Sequence, residues 1–270
     1  MKILDGVKAS QDIEKKLKNR IKNKLRIALI QINNDSSSNA YINSIIKKCQ
    51  EFNIEVELKK FKNEAEEEII KYIEKLNENS KINGIIISTP ISSKYNKKRI
   101  INTISETKDI DGQTDINMIK LMNNENCFIP CTVLGIENIL KYYKIDINEK
   151  NVTIINRSNT IGKPLMFRLL EKDCTVTICH SKTKKLKEIC KQSDVIVTAI
   201  GKKQYLDRSY TSENQIIIDA GITVEEGKIY GDVKEDIDCL YITKVPGGIG
   251  KMTIISLIEN LYNAYIIQTK

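Results

Sequence analysis

Tryptophan is absent from this 270-residue chain, histidine occurs once, and only four phenylalanines, four prolines and twelve glycines are present. The poverty in aromatics leaves no stacking platform for single-stranded nucleic acid. One histidine, with no cysteine pair at ligand spacing, argues against zinc and gives no metal site. The seven cysteines (49, 127, 131, 174, 179, 190 and 239) form neither a C-x-x-C pair nor an even framework. They read as reduced, mostly buried apolar residues, and the "CFIPC" pair, Cys127 and Cys131, lacks further ligands. No apolar run approaches the roughly eighteen residues that a membrane span needs. "MKILDGVKAS" has no apolar leader core, so no secretory signal is expected and the protein is expected in the cytoplasm. The formal charge of +8 is spread along the chain and interleaved with acids. Solvated helix faces explain it better than a nucleic-acid footprint, and a cation excess suits an anionic small molecule.

What is present is an alternation of short β-branched runs with helical stretches, the pattern of an α/β protein. Helices are expected at 8–24, 39–53, 65–79, 97–105 and 135–145, with strands at 26–32, 54–61 and 84–88. The stretch from about 107 to 131 is turn-rich and reads as irregular, approaching a hinge. A second α/β unit follows, with strands at 151–156, 175–180, 195–200, 215–221 and 241–245. Helices are expected at 163–172 and 184–193, and a long one at 253–268.

Within that second unit "VTIINRSNTIGKPLMFRLL" runs strand, tight loop, helix, where a Rossmann unit sets a pyrophosphate against helix N–H groups. Asn156 stands where a first glycine is usual, and asparagine tolerates the left-handed turn. Ile161 and Gly162 lead into the helix, and Pro164 sits where its missing N–H costs nothing. Taken alone, an ordinary βα turn fits as well. The next strand ends "TICHSKT", without the acid that an NAD enzyme offers to the ribose 2′-hydroxyl. His180, Ser181 and Lys182, with Arg157 nearby, favour the 2′-phosphate of NADP. For His180 a ring merely capping the strand end is the equal alternative. "VPGGIGKMT", residues 245–253, collects three of the twelve glycines, more than one sharp turn requires.

In order and spacing, five stretches resemble the methylenetetrahydrofolate dehydrogenase/cyclohydrolase family over almost the whole chain. They are "SNAY" (38–41), "KDIDG" (108–112), "PCT" (130–132) with Gly135, "NRSNTIGKP" (156–164) with "CHSKT" (179–183), and "VPGGIGKMT". "DAGI" (219–222) and "YGDV" (230–233) fit between the last two. The resemblance implies two α/β domains joined by long helices around a cleft, the C-terminal one a Rossmann-type NADP-binding domain. The expected division is a folate-binding catalytic domain of 1–120 plus the helix of about 253–270, and a cofactor domain of 121–252. It implies that Tyr41 stacks on the pterin and Asp111 hydrogen-bonds it. Thr132, Arg157, Ser158, Ser181, Ile222 and Thr253 match positions that touch NADP. Pro246, Gly247, Gly248 and Gly250 would let backbone approach the flat folate ring. A homodimer acting on tetrahydrofolate one-carbon derivatives, with neither nucleic acid nor membrane as partner, completes the expectation.

The chain departs from the family at one cluster. Where the family has Y-x-x-x-K, "YINSI" puts Ile45, and where it has glutamine in V-Q-L-P, "ISTP" puts Ser88. Hydride removal from the bridging methylene needs mainly two rings held together. Hydrolysis of the methenyl product benefits from an acid–base lysine, whose loss typically costs about a hundred- to ten-thousand-fold. A dehydrogenase with weak or absent cyclohydrolase activity is therefore expected. The alternatives are a bifunctional enzyme using Lys251, which occupies the family's proline position, and a binding protein that has lost catalysis.

Overall fold

The computed structural model describes residues 1–32 and 36–269, without the side chains of 36 and 37. After a short strand β1 (Lys2–Leu4) and helix α1 (Gly6–Arg20), the chain alternates strand and helix through β2 (Arg26–Ile32), α2 (Ser36–Glu51), β3 (Glu55–Phe61), α3 (Glu66–Glu78) and β4 (Gly84–Ser88). Helices α4 (Lys97–Asn102), α5 (Asp115–Met122) and α6 (Cys131–Tyr142) lead into the second half. There β5 (Asn151–Ile155), α7 (Gly162–Leu170), β6 (Thr175–Cys179), α8 (Leu186–Lys191), β7 (Val195–Thr198) and β8 (Ile216–Asp219) follow one another. A hairpin of β9 (Thr223–Glu225) and β10 (Lys228–Tyr230), then β11 (Tyr241–Thr243) and the long α9 (Ile249–Gln268), complete the described chain. No described helix is long and apolar enough to cross a membrane.

The chain divides into two compact units, one of Glu14–Cys131 with Ile254–Lys270, the other of Met1–Ile13 with Thr132–Thr253. The first holds a parallel sheet ordered β3-β2-β4. Its central strand is buried along almost its whole length, as a strand covered on both faces must be. Helix α3 shows why the local sequence folds as it does. Ile69, Ile70, Ile73 and Leu76 make one apolar stripe, and Glu66, Glu67 and Glu68 occupy the first turn, where the helix dipole favours acids.

The second unit holds a six-stranded sheet, β1-β11-β8-β7-β5-β6, in which every pairing is parallel. The chain runs from β5 outward to β6 and then back across to β7. The reversal creates a switch point at the C-terminal ends of β5 and β7, where such sheets bind ligands.

Three expectations need correction. Residues 1–13 belong with the six-stranded sheet, because β1 pairs with β11 from Lys2↔Tyr241 to Leu4↔Thr243, and residues 121–131 belong with the other unit. A three-residue strand carries too little pattern to be read in advance. The stretch 107–131 is not simply irregular: α5 forms in it, capped by Thr114, whose hydroxyl accepts the Asn117 N–H at 3.3 Å. Finally α6 and α9 begin at Cys131 and Ile249, about a turn earlier than the apolar periodicity implied.

Candidate functional site

In the Glu14–Cys131 unit, the segment "KDIDG" divides its charges between support and display. The Lys108 ammonium donates to the carbonyls of Leu76, Asn77 and Asn79 at 2.7–2.9 Å, closing the C-terminal end of α3. Asp109 accepts the Thr114 N–H and hydroxyl at 2.8 and 2.7 Å and the Asn117 amide at 2.9 Å, anchoring the start of α5. Asp111 is spared such work. It takes one bond from the Gln113 amide and a longer one, 3.3 Å, from the Cys131 N–H. It borders a small pocket with Ile87, Ile104 and Gln113. Burial pushes its carboxyl above the usual range, against the hydrogen bonds from Gln113 and Cys131. Tyr41, on α2, lies close enough to feel it: burial first, then coupling to the Asp111 carboxyl and the Cys131 thiol, holds the phenol well above its ordinary 10. At neutral pH Tyr41 is therefore a hydrogen-bond donor and an aromatic face, not a base.

One residue that sequence reading missed sets this arrangement. Asn260 of α9 is buried, and its amide donates at 2.9 Å to the carbonyls of both Ile110 and Ile129. It thus fixes the backbone beside Asp111. A polar residue among the apolar positions of α9, as Ser256 also is, was the available signal.

One turn beyond Tyr41, Ile45 is 0% exposed and belongs to the core. Lys48, the next cation on that side of the helix, is tied to Glu14 at 2.8 Å and to Glu51. Burial works against its charge, but these two carboxylates win and raise its pKa, so it is no ready base. Ser88 ends β4 and is buried, with a hydroxyl that has no hydrogen-bond partner among the described residues. Its register partner on β2 is Gln31, whose amide nitrogen donates to Asn39 at 2.8 Å while its buried carbonyl oxygen also lacks a partner among the described residues. Both residues sit at the C-terminal end of the parallel sheet.

In the other unit, the loop after β5 is held by Asn156. Its side-chain oxygen accepts the N–H groups of Ser158 (2.8 Å) and Gly162 (3.0 Å), and its amide donates to Ala199 (2.5 Å) across the switch point. The Ile161 N–H is taken by the Ser158 hydroxyl and that of Lys163 by the Ser158 carbonyl. The expectation of free N–H groups at the entry to α7 is thus corrected for residues 161–163, which are already bonded within the loop. Outward the loop offers the exposed Arg157. The half-buried His180 follows β6. Its Nδ1 accepts the Lys182 N–H at 3.1 Å, so this nitrogen caps the turn and Nε2 is the one left for other partners. Ser181 and Lys182 are exposed beside it. Thr132 and Thr253 meet through their hydroxyls at 3.4 Å.

The glycines of "VPGGIGKMT" separate into two kinds. Gly247 has φ +103°, and a Cβ on Gly248 would lie 2.5 Å from the Lys244 carbonyl oxygen, so the turn itself requires both. A Cβ on Gly250 would meet nothing nearer than Ile222 Cδ1, at 3.8 Å. There a side chain would meet neither a clash nor a left-handed backbone. Pro246 and Lys251 are exposed, and Lys251 stands in the first turn of α9. Together the switch-point loops, the exposed Arg157 and the open ground at Gly250 and Ile222 fit an anionic dinucleotide.

Two family profiles match the chain: the catalytic domain of tetrahydrofolate dehydrogenase/cyclohydrolase over residues 4–111, and the NAD(P)-binding domain over 130–269. Bifunctional protein FolD of Clostridium novyi is 40% identical over 269 residues, covering 96% of this chain and 97% of its own. Among solved structures, the bifunctional FolD of Campylobacter jejuni superposes with a TM-score of 0.96 at 34% identity, over 99% of each chain. A 5,10-methylenetetrahydrofolate dehydrogenase from the silkworm, Bombyx mori, gives 0.93 at 30%, over 100% of this chain and 99% of its own.

Proposed function

The chain belongs to the tetrahydrofolate dehydrogenase/cyclohydrolase family, and from that premise we propose that it is an NADP-dependent methylenetetrahydrofolate dehydrogenase whose cyclohydrolase step is weak or absent. The observation that carries this reading is Ile45, a fully buried hydrocarbon one helical turn from Tyr41. NADP, when bound, accepts a hydride from the folate methylene. The methenyl cation left behind is stabilised by the neighbouring nitrogen lone pair, so no base is required at that carbon. Tyr41 supplies a ring face and a neutral phenol, and Asp111 an acceptor for the pterin N–H groups. Arg157 and His180 meet the 2′-phosphate, and Gly250 leaves room beside Ile222 for a flat ring.

Hydrolysis makes a different demand: a water must lose a proton as it attacks the methenyl carbon. A hydrocarbon at 45, a hydroxyl at Ser88 and a lysine at 48 held by two carboxylates supply little help. The protein is read as a cytoplasmic homodimer.

Following absorbance at the reduced-nicotinamide band with methylenetetrahydrofolate, NADP and NAD in parallel, tests the reading. Turnover with NADP is expected to exceed that with NAD. Arg157→Ala should raise the KM for NADP about tenfold and leave that for NAD unchanged. Absence of hydride transfer with either cofactor would favour a binding protein instead.

A further inference from the structure

The motifs "DAGI" and "YGDV" meet in the Thr132–Thr253 unit as an interlocked pair of buried carboxylates. Asp219, 2% exposed, ends β8, and Asp232 is 0% exposed. Asp232 accepts the Thr198 hydroxyl at 2.8 Å and the N–H groups of Ile200 and Lys202 at 2.7 and 2.8 Å. Asp219 accepts the N–H groups of Gly221, Asp232 and Val233 at 2.9, 3.2 and 3.0 Å. Each carboxylate also fills the space that a side chain would need beside the other. A Cβ on Gly221 would lie 2.1 Å from Asp232 Cγ, and one on Gly231 would lie 2.1 Å from Asp219 Oδ2.

Stability alone does not account for this. Two neighbouring buried acids each carry a large desolvation cost, and well-packed apolar residues of similar size do as well or better. What the pair does that apolar residues cannot is fix backbone, through five N–H groups and one hydroxyl. The backbone it fixes is specific. Residues 199–202 form the loop after β7, one side of the switch point, and the Asn156 amide donates to the same loop at the Ala199 carbonyl. Gly221 immediately precedes Ile222, which is 54% exposed despite its size. Beside Ile222 lie two positions without side chains: a Cβ on Gly201 would be 3.6 Å from the Ile222 carbonyl oxygen, and one on Gly250 would be 3.8 Å from its Cδ1. An apolar side chain is thus held out between two bare stretches of backbone.

We propose that Asp219 and Asp232 are positioning residues that lock Ile222 and the 199–202 loop into a rigid apolar ledge for the nicotinamide ring. The pair acts through Ile222 and touches no reacting atom. The inference rests on the reading of this unit as the NADP site, and its test separates the two.

The Kd of NADP and of 2′,5′-ADP, a probe with the 2′-phosphate but no nicotinamide, are measured by calorimetry for Asp232→Asn, Ile222→Ala and the double variant. Asp232→Asn replaces one acceptor oxygen with an amide that faces backbone donors, and so releases the loop. Asp232→Asn and Ile222→Ala should each weaken NADP about tenfold, the double variant no more than either, and 2′,5′-ADP should stay within about twofold. Thr198→Val, which removes a single bond to Asp232, should show the same selectivity at about threefold and serves if Asp232→Asn does not fold. Parallel loss of both ligands, additive effects, or a lowered Tm with NADP affinity intact would overturn the proposal. If the native protein binds neither ligand, the NADP reading itself fails.

Discussion

At the switch point of the cofactor unit, Asn156 has bonded both its side-chain oxygen and its amide to backbone, and Asp219 and Asp232 together hold six donors. At the C-terminal end of the other sheet, Gln31 and Ser88 stand in register with oxygens that lack a partner among the described residues, and a fully buried isoleucine lies one turn from Tyr41. The first region is organised before any ligand arrives, as ring-to-ring hydride transfer demands. The second, on the proposed function, offers Tyr41 and Asp111 to the pterin but is poor in groups that could exchange a proton with water. On the proposed function, the contrast separates holding a substrate from hydrolysing it.

The largest effect expected from breaking this contrast concerns the glycine turn. Gly248→Ala drives a methyl against the Lys244 carbonyl oxygen and should destabilise the protein by about 4 kcal/mol or prevent folding. Gly250→Ala, with open space around it, should leave Tm within a degree or two while raising the KM of a ligand. Thermal unfolding and steady-state kinetics on the pair check this. Equal losses of stability would make Gly250 part of the turn.

Ile45→Lys comes next. An ammonium in a fully enclosed position should cost about 3 kcal/mol, read by urea unfolding. If it finds the pterin side it should also raise methenyl-folate hydrolysis. An unchanged stability would mean that the position is not enclosed in the working protein.

A smaller effect is the pH dependence of stability. Burial, opposed by the N–H bonds from Val233 and Asp232, raises Asp219 from 3.8 to about 7. Its folded form therefore binds the proton more tightly than the unfolded chain. The stability this contributes is fully present below about pH 4 and is lost as pH rises through about 7, at up to about 1.4 kcal/mol per pH unit. Glu14 in the other unit behaves oppositely. Burial is outweighed by hydrogen bonds from Lys18 and Lys48, so its pKa is lowered and its contribution is lost as pH falls. Urea titrations from pH 5 to 8 should show a slope that Asp219→Asn removes and Glu14→Gln leaves in place.

Much of this was legible in the chain. The strand "GIIIS" at 84–88 followed from its apolar run and the stripe of α3 from its periodicity, while Asp111 was singled out only by the resemblance that "KDIDG" carries. Periodicity could not find β1 or the β9–β10 hairpin, whose three-residue strands exist only by virtue of their pairing partners. Nor could it assign Asp109 and Lys108, whose task is to close α5 and α3, residues distant in sequence from one another's caps. Gln31 looked like any polar residue in a strand until its register beside Ser88 was known. The three glycines at 247, 248 and 250 looked equivalent, and only the positions of Lys244 and Ile222 distinguish them.

The most direct measurement runs two assays on one preparation: NADP reduction with methylenetetrahydrofolate, and disappearance of methenyltetrahydrofolate above the buffer-catalysed rate. Robust hydride transfer is predicted, with hydrolysis lower than in a lysine-bearing relative by about a hundredfold or more. Hydrolysis comparable to that relative's, abolished by Lys251→Ala, would contradict the account and move the acid–base role to the first turn of α9.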